Sequence, residues 1–162
     1  MGGFSKNANT NNNSVVLENL DLSFSSYGEF VGGNASFGNG SANANKISLK
    51  NVQISNGNDD IIGGASKTSA NGNEVIIDSS NTGNIGISGG MVFGDNASKT
   101  ANSNKITITN SNLSDVCGGL AIKEFKLYKD DDEINFLGTA NSNEVSISDS
   151  VFDKRCRRRC GK

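Results

Sequence analysis

One short phrase returns along the chain: ANANKISLKN at 42–51, ANGNEVIIDSS at 70–80, ANSNKITITNS at 101–111 and ANSNEVSISDS at 140–150. A repeat of this kind constrains the fold more tightly than composition does. Each copy buries too little apolar surface to stand alone, so copies must stack on one another. A pair of small residues precedes each phrase: Gly2-Gly3, Gly32-Gly33, Gly63-Gly64, Gly94-Asp95 and Gly118-Gly119. Their first members lie 30, 31, 31 and 24 positions apart. The spacing predicts five imperfect copies of about 30 residues, covering residues 1–153.

Within the copies the apolar residues alternate with polar ones, as in Ile47 and Leu49, Ile106 and Ile108, Val145 and Ile147. Period two predicts short strands with one buried face, closed by the turn-forming Asn, Ser and Asp that follow. A second apolar run follows in most copies (Val52 and Ile54, Ile85 and Ile87, Leu113 and Val116), and a third precedes the Gly pair (Phe30-Val31, Ile61-Ile62, Met91-Val92-Phe93). Two or three strands per copy and no helical periodicity predict an all-β chain, a parallel β-helix or β-solenoid. Ile and Val ladders would fill its interior, and Asn amides would stack at its turns.

Only 34% of the residues are hydrophobic, while Asn numbers 25 and Ser 22. Such a composition suits disordered chains, but the fixed spacing of Val, Ile, Leu and Phe has no use in one. Residues 1–153 carry 9 Lys against 17 acids, and residues 154–162 carry six basic residues and no acid. The acidic body excludes an electrostatic reason to bind nucleic acid. The tail, KRCRRRCGK, reads as an open-ended terminus, with an anchor for an acidic surface or nucleic acid as the alternative. No stretch approaches the roughly 20 apolar residues of a membrane helix. The opening MGGFSKNANTNNN lacks the apolar run of a signal peptide and begins inside a repeat unit. That predicts a segment of a longer repeat protein with Met1 added ahead of it.

The unit GG-x-A-S … A-N-x-N-[KE]-[VI]-x-I-x-x-S, carried best by residues 32–51, 63–80, 94–111 and 139–150, resembles the Gly/Asn-rich repeats of bacterial autotransporter passengers. The resemblance implies a β-helical, adhesin-like segment displayed at the cell surface or secreted, through a parent protein of the outer membrane.

Chemistry has little foothold. The chain has no His, which removes His-based nucleophilic systems and His-based zinc sites. No catalytic residue, metal ligand set or cofactor is assigned. Asp59-Asp60 reads as a solvated turn. The acidic run Asp130, Asp131, Asp132 and Glu133 lies in the one large departure from the repeat, about fifteen residues inserted at 122–137. With Phe125 and Tyr128 nearby, this insertion reads as a hairpin with an acidic tip. It is structural decoration, a partner-binding loop or a calcium site, although it lacks the glycine spacing of a calcium loop. Cys117 and Cys156 occupy equivalent positions in successive copies, within disulfide reach if the coils stack. A disulfide and free thiols both satisfy the sequence, and three cysteines leave one unpaired.

The reading is therefore a non-enzymatic surface module, a stalk or adhesive passenger segment, whose partner is a host surface protein or a glycan. The alternatives are a carbohydrate-active β-helix enzyme and a glycan-binding module centred on Tyr128. A groove lined by coil-aligned carboxylates would favour the enzyme. The outward positions Lys46, Glu74, Lys105 and Glu144 instead alternate in sign, which predicts a solvated charge ladder. Open solenoid ends predict a tendency to associate end to end.

Overall fold

A computed structural model of the chain describes residues 1–23, 29–55, 60–95, 97–122 and 138–152. The regular elements in these residues are all strands: β1 (Gly3–Phe4), β2 (Ser14–Ser23), β3 (Glu29–Ala35), β4 (Lys46–Ser55), β5 (Asp60–Ser66), β6 (Glu74–Asp78), β7 (Gly86–Ser88), β8 (Met91–Phe93), β9 (Lys105–Thr109), β10 (Asn112–Leu113), β11 (Asp115–Cys117), β12 (Leu120–Ile122), β13 (Glu144–Ser148) and β14 (Val151–Phe152). One sheet runs β2-β4-β6-β9-β13. A second runs β1-β3-β5-β7-β11 and is continued by β8 and β12, while β10 pairs with β14. Strands pair in parallel with the equivalent strand of the next coil. The chain is an all-β solenoid, as its repeat predicts. Its five rungs are joined by four turns, and successive coils are offset by 32, 28, 31 and 39 residues.

The alternating residues make the core. One column runs Val15, Ile47, Val75, Ile106, Val145 and the next runs Leu17, Leu49, Ile77, Ile108, Ile147. The three central members of each column are fully buried. Each such side chain contributes roughly 1.5–3 kcal/mol by leaving water, and only the neighbouring coils make that burial possible. Outside the same sheet, Lys46 pairs with Glu74 at 2.8 Å and Lys105 with Glu144 at 3.6 Å.

Asparagine holds the corner between the two sheets. The backbone N–H and Nδ2 of Asn13 both donate to Oδ1 of Asn45, and Asn45 donates likewise to Asn73, Asn73 to Asn104, and Asn104 to Asn143. Asn45, Asn73 and Asn104 are buried, so the ladder satisfies polar groups that water cannot reach. A second ladder on the same corner runs in the opposite sense. The N–H of Asn43 donates to Oδ1 of Asn11, Asn71 to Asn43, Asn102 to Asn71, and Asn141 to Asn102. Each coil also bends twice through left-handed backbone. Asn12, Ala44, Gly72, Ser103 and Ser142 form one such column, and Asn19, Asn51, Ser79, Asn110 and Asp149 form the other. The non-glycine members cost about 1 kcal/mol each in an isolated chain, and the stacked ladders offset that cost.

The structure corrects the register of the fourth copy. Ala65 pairs with Met91 and Met91 with Leu120, which places Gly89-Gly90 between Gly63-Gly64 and Gly118-Gly119. Gly94-Asp95 is not part of this column. Glycine is needed where the second sheet runs against the Asn ladder. A Cβ on Gly64 would lie 2.7 Å from Oδ1 of Asn73, and one on Gly90 would lie 2.8 Å from Asn104. A Cβ on Gly94 would meet nothing within 4 Å. Met91-Val92-Phe93 accordingly stacks on the Ala65-Ser66 end of β5, while Ile87 takes the place above Ile61. Counted from Gly89, the interval to Ile106 is 17 residues, against 27 from Gly118 to Val145. The insertion is thus nearer ten residues than fifteen.

Candidate functional site

The insertion leaves the rod at a well-anchored corner. Ile122 ends β12 stacked on Phe93, and the chain returns at Gly138 to place Thr139 beside Thr100. The residues expected to bind a partner, Phe125, Tyr128, Asp130, Asp131, Asp132 and Glu133, lie outside the described residues. So do Asp59 and the tail 154–162.

Between the two roots of the insertion sits Lys99, only 1% exposed. Its Nζ donates to the carbonyl of Gly94 and, at 2.6 Å, to that of Ile122. Its backbone carbonyl accepts from the N–H of Thr139 at 3.0 Å, and the N–H of Ala101 donates to the carbonyl of Thr139 at 2.8 Å. Burial pulls the Lys99 ammonium below the ordinary lysine pKa of 10.5, and the Asp95 carboxylate opposes that shift. Because the folded chain releases this proton first, the unfolded chain holds more protons between the two pKa values. Stability should therefore rise with pH through the alkaline range up to about 10.5. Lys99→Met should abolish that rise. It should also cost about 2–3 kcal/mol at neutral pH, because two carbonyls lose their donor. Urea melts of both proteins across neutral and alkaline pH check this. Parallel pH profiles would contradict it.

The described surface also carries a groove on the outer face of the second sheet. Its cavity of about 340 Å³ is floored by Ile62, Met91 and Phe93 and flanked by Phe37, Glu29 and Asp60. Glu29 and Asp60 are register partners in adjacent coils, and Asp60 is followed in its column by Gly86 and then Asp115. The Asp60 carboxylate lies over Gly86, where a Cβ would come 2.5 Å from its Oδ1. Asp60 is thus the half-buried first residue of β5 and not a member of a solvated turn. Oδ1 of Asp115 is buried and has no hydrogen-bond partner among the described residues. At the N-terminal end of the groove the rings of Phe4 and Phe37 stand 5.7 Å apart, tilted by 58°. Both are more than half exposed.

The groove was not anticipated, but it left a mark in the sequence. Ile61-Ile62 and Met91-Val92-Phe93 break the alternation, so their strands carry apolar side chains on both faces. Chemically, the site offers an apolar floor with carboxylates on its rim, and its volume lies at the lower end of small-ligand pockets. No cluster of three or more metal-ligating side chains occurs among the described residues. Cys117 lies at the end of β11 and is disulfide-bonded. Its expected partner, Cys156, lies outside the described residues, as does Cys160.

Compared with known protein families, curated proteins and solved structures, the chain matches none of them.

Proposed function

We propose that this chain is a non-enzymatic structural module, a stalk or adhesive passenger segment of an autotransporter-like bacterial surface protein that projects and presents the 123–137 insertion. The observation that supports this reading is the continuity of its ladders. Buried Asn, paired glycines and left-handed corners recur in coil after coil, so the repeated positions are committed to stacking. The insertion after Ile122 is anchored on both sides by Lys99 and Thr139. That arrangement suits a loop held out from a rigid support.

Replacing residues 123–137 with a short turn should leave the melting temperature within a few degrees of the parent. It should also remove at least tenfold of any affinity found on a panel of host proteins and glycans. Undiminished binding would sink the presented-loop reading. Turnover of a glycan by the intact chain would sink the non-enzymatic one. Antibodies raised against the chain should also label intact source cells without permeabilisation.

A second reading is favoured by one observation: Glu29 and Asp60 are aligned on adjacent coils at the rim of an apolar groove. Glycan binding at that groove would survive removal of the insertion and would be lost on Asp60→Asn. The two readings therefore separate in the same experiment.

A further inference from the structure

We infer that the groove on the outer face of the second sheet binds a small organic cation with an apolar body, an arylalkylammonium. The inference is independent of the presented-loop reading, and it goes beyond the glycan reading by assigning the ligand a charge. It rests on a contrast between the two outer faces of the rod. On the first sheet the outer columns alternate in sign: Lys46 lies beside Glu74, Lys50 beside Asp78 and Lys105 beside Glu144. Two of these pairs close as ion pairs, so that face balances its own charge. On the second sheet the outer column reads Glu29, Asp60, Gly86, Asp115, with three acids and no base. Like charges directly beside each other weaken a sheet. Glu29 and Asp60 also flank an apolar floor, where their field is less screened than in open water. A cation seated across the two relieves their repulsion.

The dimensions and the lining suit an ammonium on an apolar arm. Successive rungs stand about 4.8 Å apart, so Glu29 and Asp60 can both accept from one ammonium, which carries three donors. The cavity of about 340 Å³ is floored by Ile62 and Met91, both buried. Phe93 and Phe37 also line it, and Phe37 is 64% exposed. Aromatic rings attract both cations and other rings, so these side chains favour an arylalkylammonium over a bare inorganic ion. A neutral sugar would leave the acidic column unbalanced, and an anion would be repelled by it.

Phenethylamine, phenethyl alcohol and phenylacetate share one ring and differ in charge. Titrating each into the intact chain, with NMR of the Ile62 and Met91 methyl groups, locates binding at the groove and yields Kd. Phenethylamine should give saturable shifts and bind at least about tenfold more tightly than the alcohol, while phenylacetate should not bind. Glu29→Gln and Asp60→Asn should each weaken phenethylamine about five- to tenfold and leave the alcohol unchanged. Glu29 is exposed, so its substitution keeps the test decisive if Asp60→Asn disturbs folding. Glu74→Gln, on the other sheet, should leave the affinity unchanged, which separates the groove from general attraction to an acidic chain. Added salt should weaken the amine alone. No saturable shift with phenethylamine, equal binding of amine and alcohol, or indifference to Glu29→Gln would each overturn the inference. Maltose is the neutral-glycan arm. If it shifts the same methyl groups and the amine does not, the cation site is overturned and the glycan reading stands; the reverse result supports the cation site and removes the glycan reading.

Discussion

Alanine at Gly63 is expected to unfold the rod, whereas alanine at Gly94 should leave it folded. A Cβ on Gly63 would lie 2.9 Å from Cβ of Asn73 and well inside contact with the carbonyl oxygen of Gly89. The obstructing atoms belong to backbone fixed in the next rung and to a side chain fixed in the buried ladder. Relief would require prising two rungs apart from their spacing of about 4.8 Å. Several rung hydrogen bonds, each contributing about 1 kcal/mol net, would then be lost together with the burial beside them. A cost of about 4 kcal/mol or more consumes most of the stability that a small domain has. Alanine at Gly94 meets no atom within 4 Å. Its cost is the strain of a φ of 122°, about 1–3 kcal/mol. Far-UV circular dichroism and urea melts distinguish the two outcomes. Equal stability of the two variants would contradict the close-approach explanation.

The second large effect is expected at Asn73. Asn73→Ala removes the acceptor for two donors of Asn45 and one side-chain donor to Asn104, all on residues 0–1% exposed. Each buried group left unsatisfied costs about 1–3 kcal/mol, so a loss of about 3–5 kcal/mol is expected. The comparison is Asn51, whose amide donates to Asn19 at 2.9 Å on the exposed side of the coil. Asn51→Ala should cost under about 1 kcal/mol from its bond, since water replaces the lost partner, plus about 1 kcal/mol for holding Ala at a φ of 52°. A denaturant series on the two variants checks the ratio, and similar losses would mean that ladder burial is not what stabilises the corner.

Much of the fold was legible because two signals agreed. The alternation at Ile106-Thr107-Ile108 and the recurrence of the Asn phrase both require stacked half-buried strands, and the opposite charges at Lys46 and Glu74 fall where the outer column needs them. The fourth Gly pair misled because equal spacing looked decisive. Solenoid corners tolerate unequal loops, so what defines the column is approach to the Asn ladder, which Gly89 makes and Gly94 does not. The left-handed corners were hidden because Ala44, Ser103 and Ser142 have no preference for that backbone region.

Lys99 shows how little separates a solvated residue from a buried one. The stretches ASKTSAN at 65–71 and ASKTAN at 97–102 differ by a single residue. Ser69 aligns with Thr100, so that deletion moves the lysine one place, from the exposed position of Lys67 to the inward position of Thr68. Thr68 there caps the carbonyl of Gly40, and Lys99 caps those of Gly94 and Ile122. A one-residue shift reverses the face of a strand, and composition carries no trace of it. The groove was hard to see for a related reason, since Glu29 and Asp60 lie 31 positions apart and meet only through the register of β3 and β5.

Because hydrogen bonds between coils run along the rod, a pull on its two ends loads the coils one after another. Each coil occupies about 4.8 Å of the rod. A released coil of 28 to 39 residues pays out roughly 95–135 Å of chain at about 3.4 Å per residue. A module of this build would lengthen about twenty- to twenty-eightfold per released coil while the remaining coils stayed wound, and would therefore blunt a sudden tug without snapping. Its tether length would be set by tension rather than fixed by its fold.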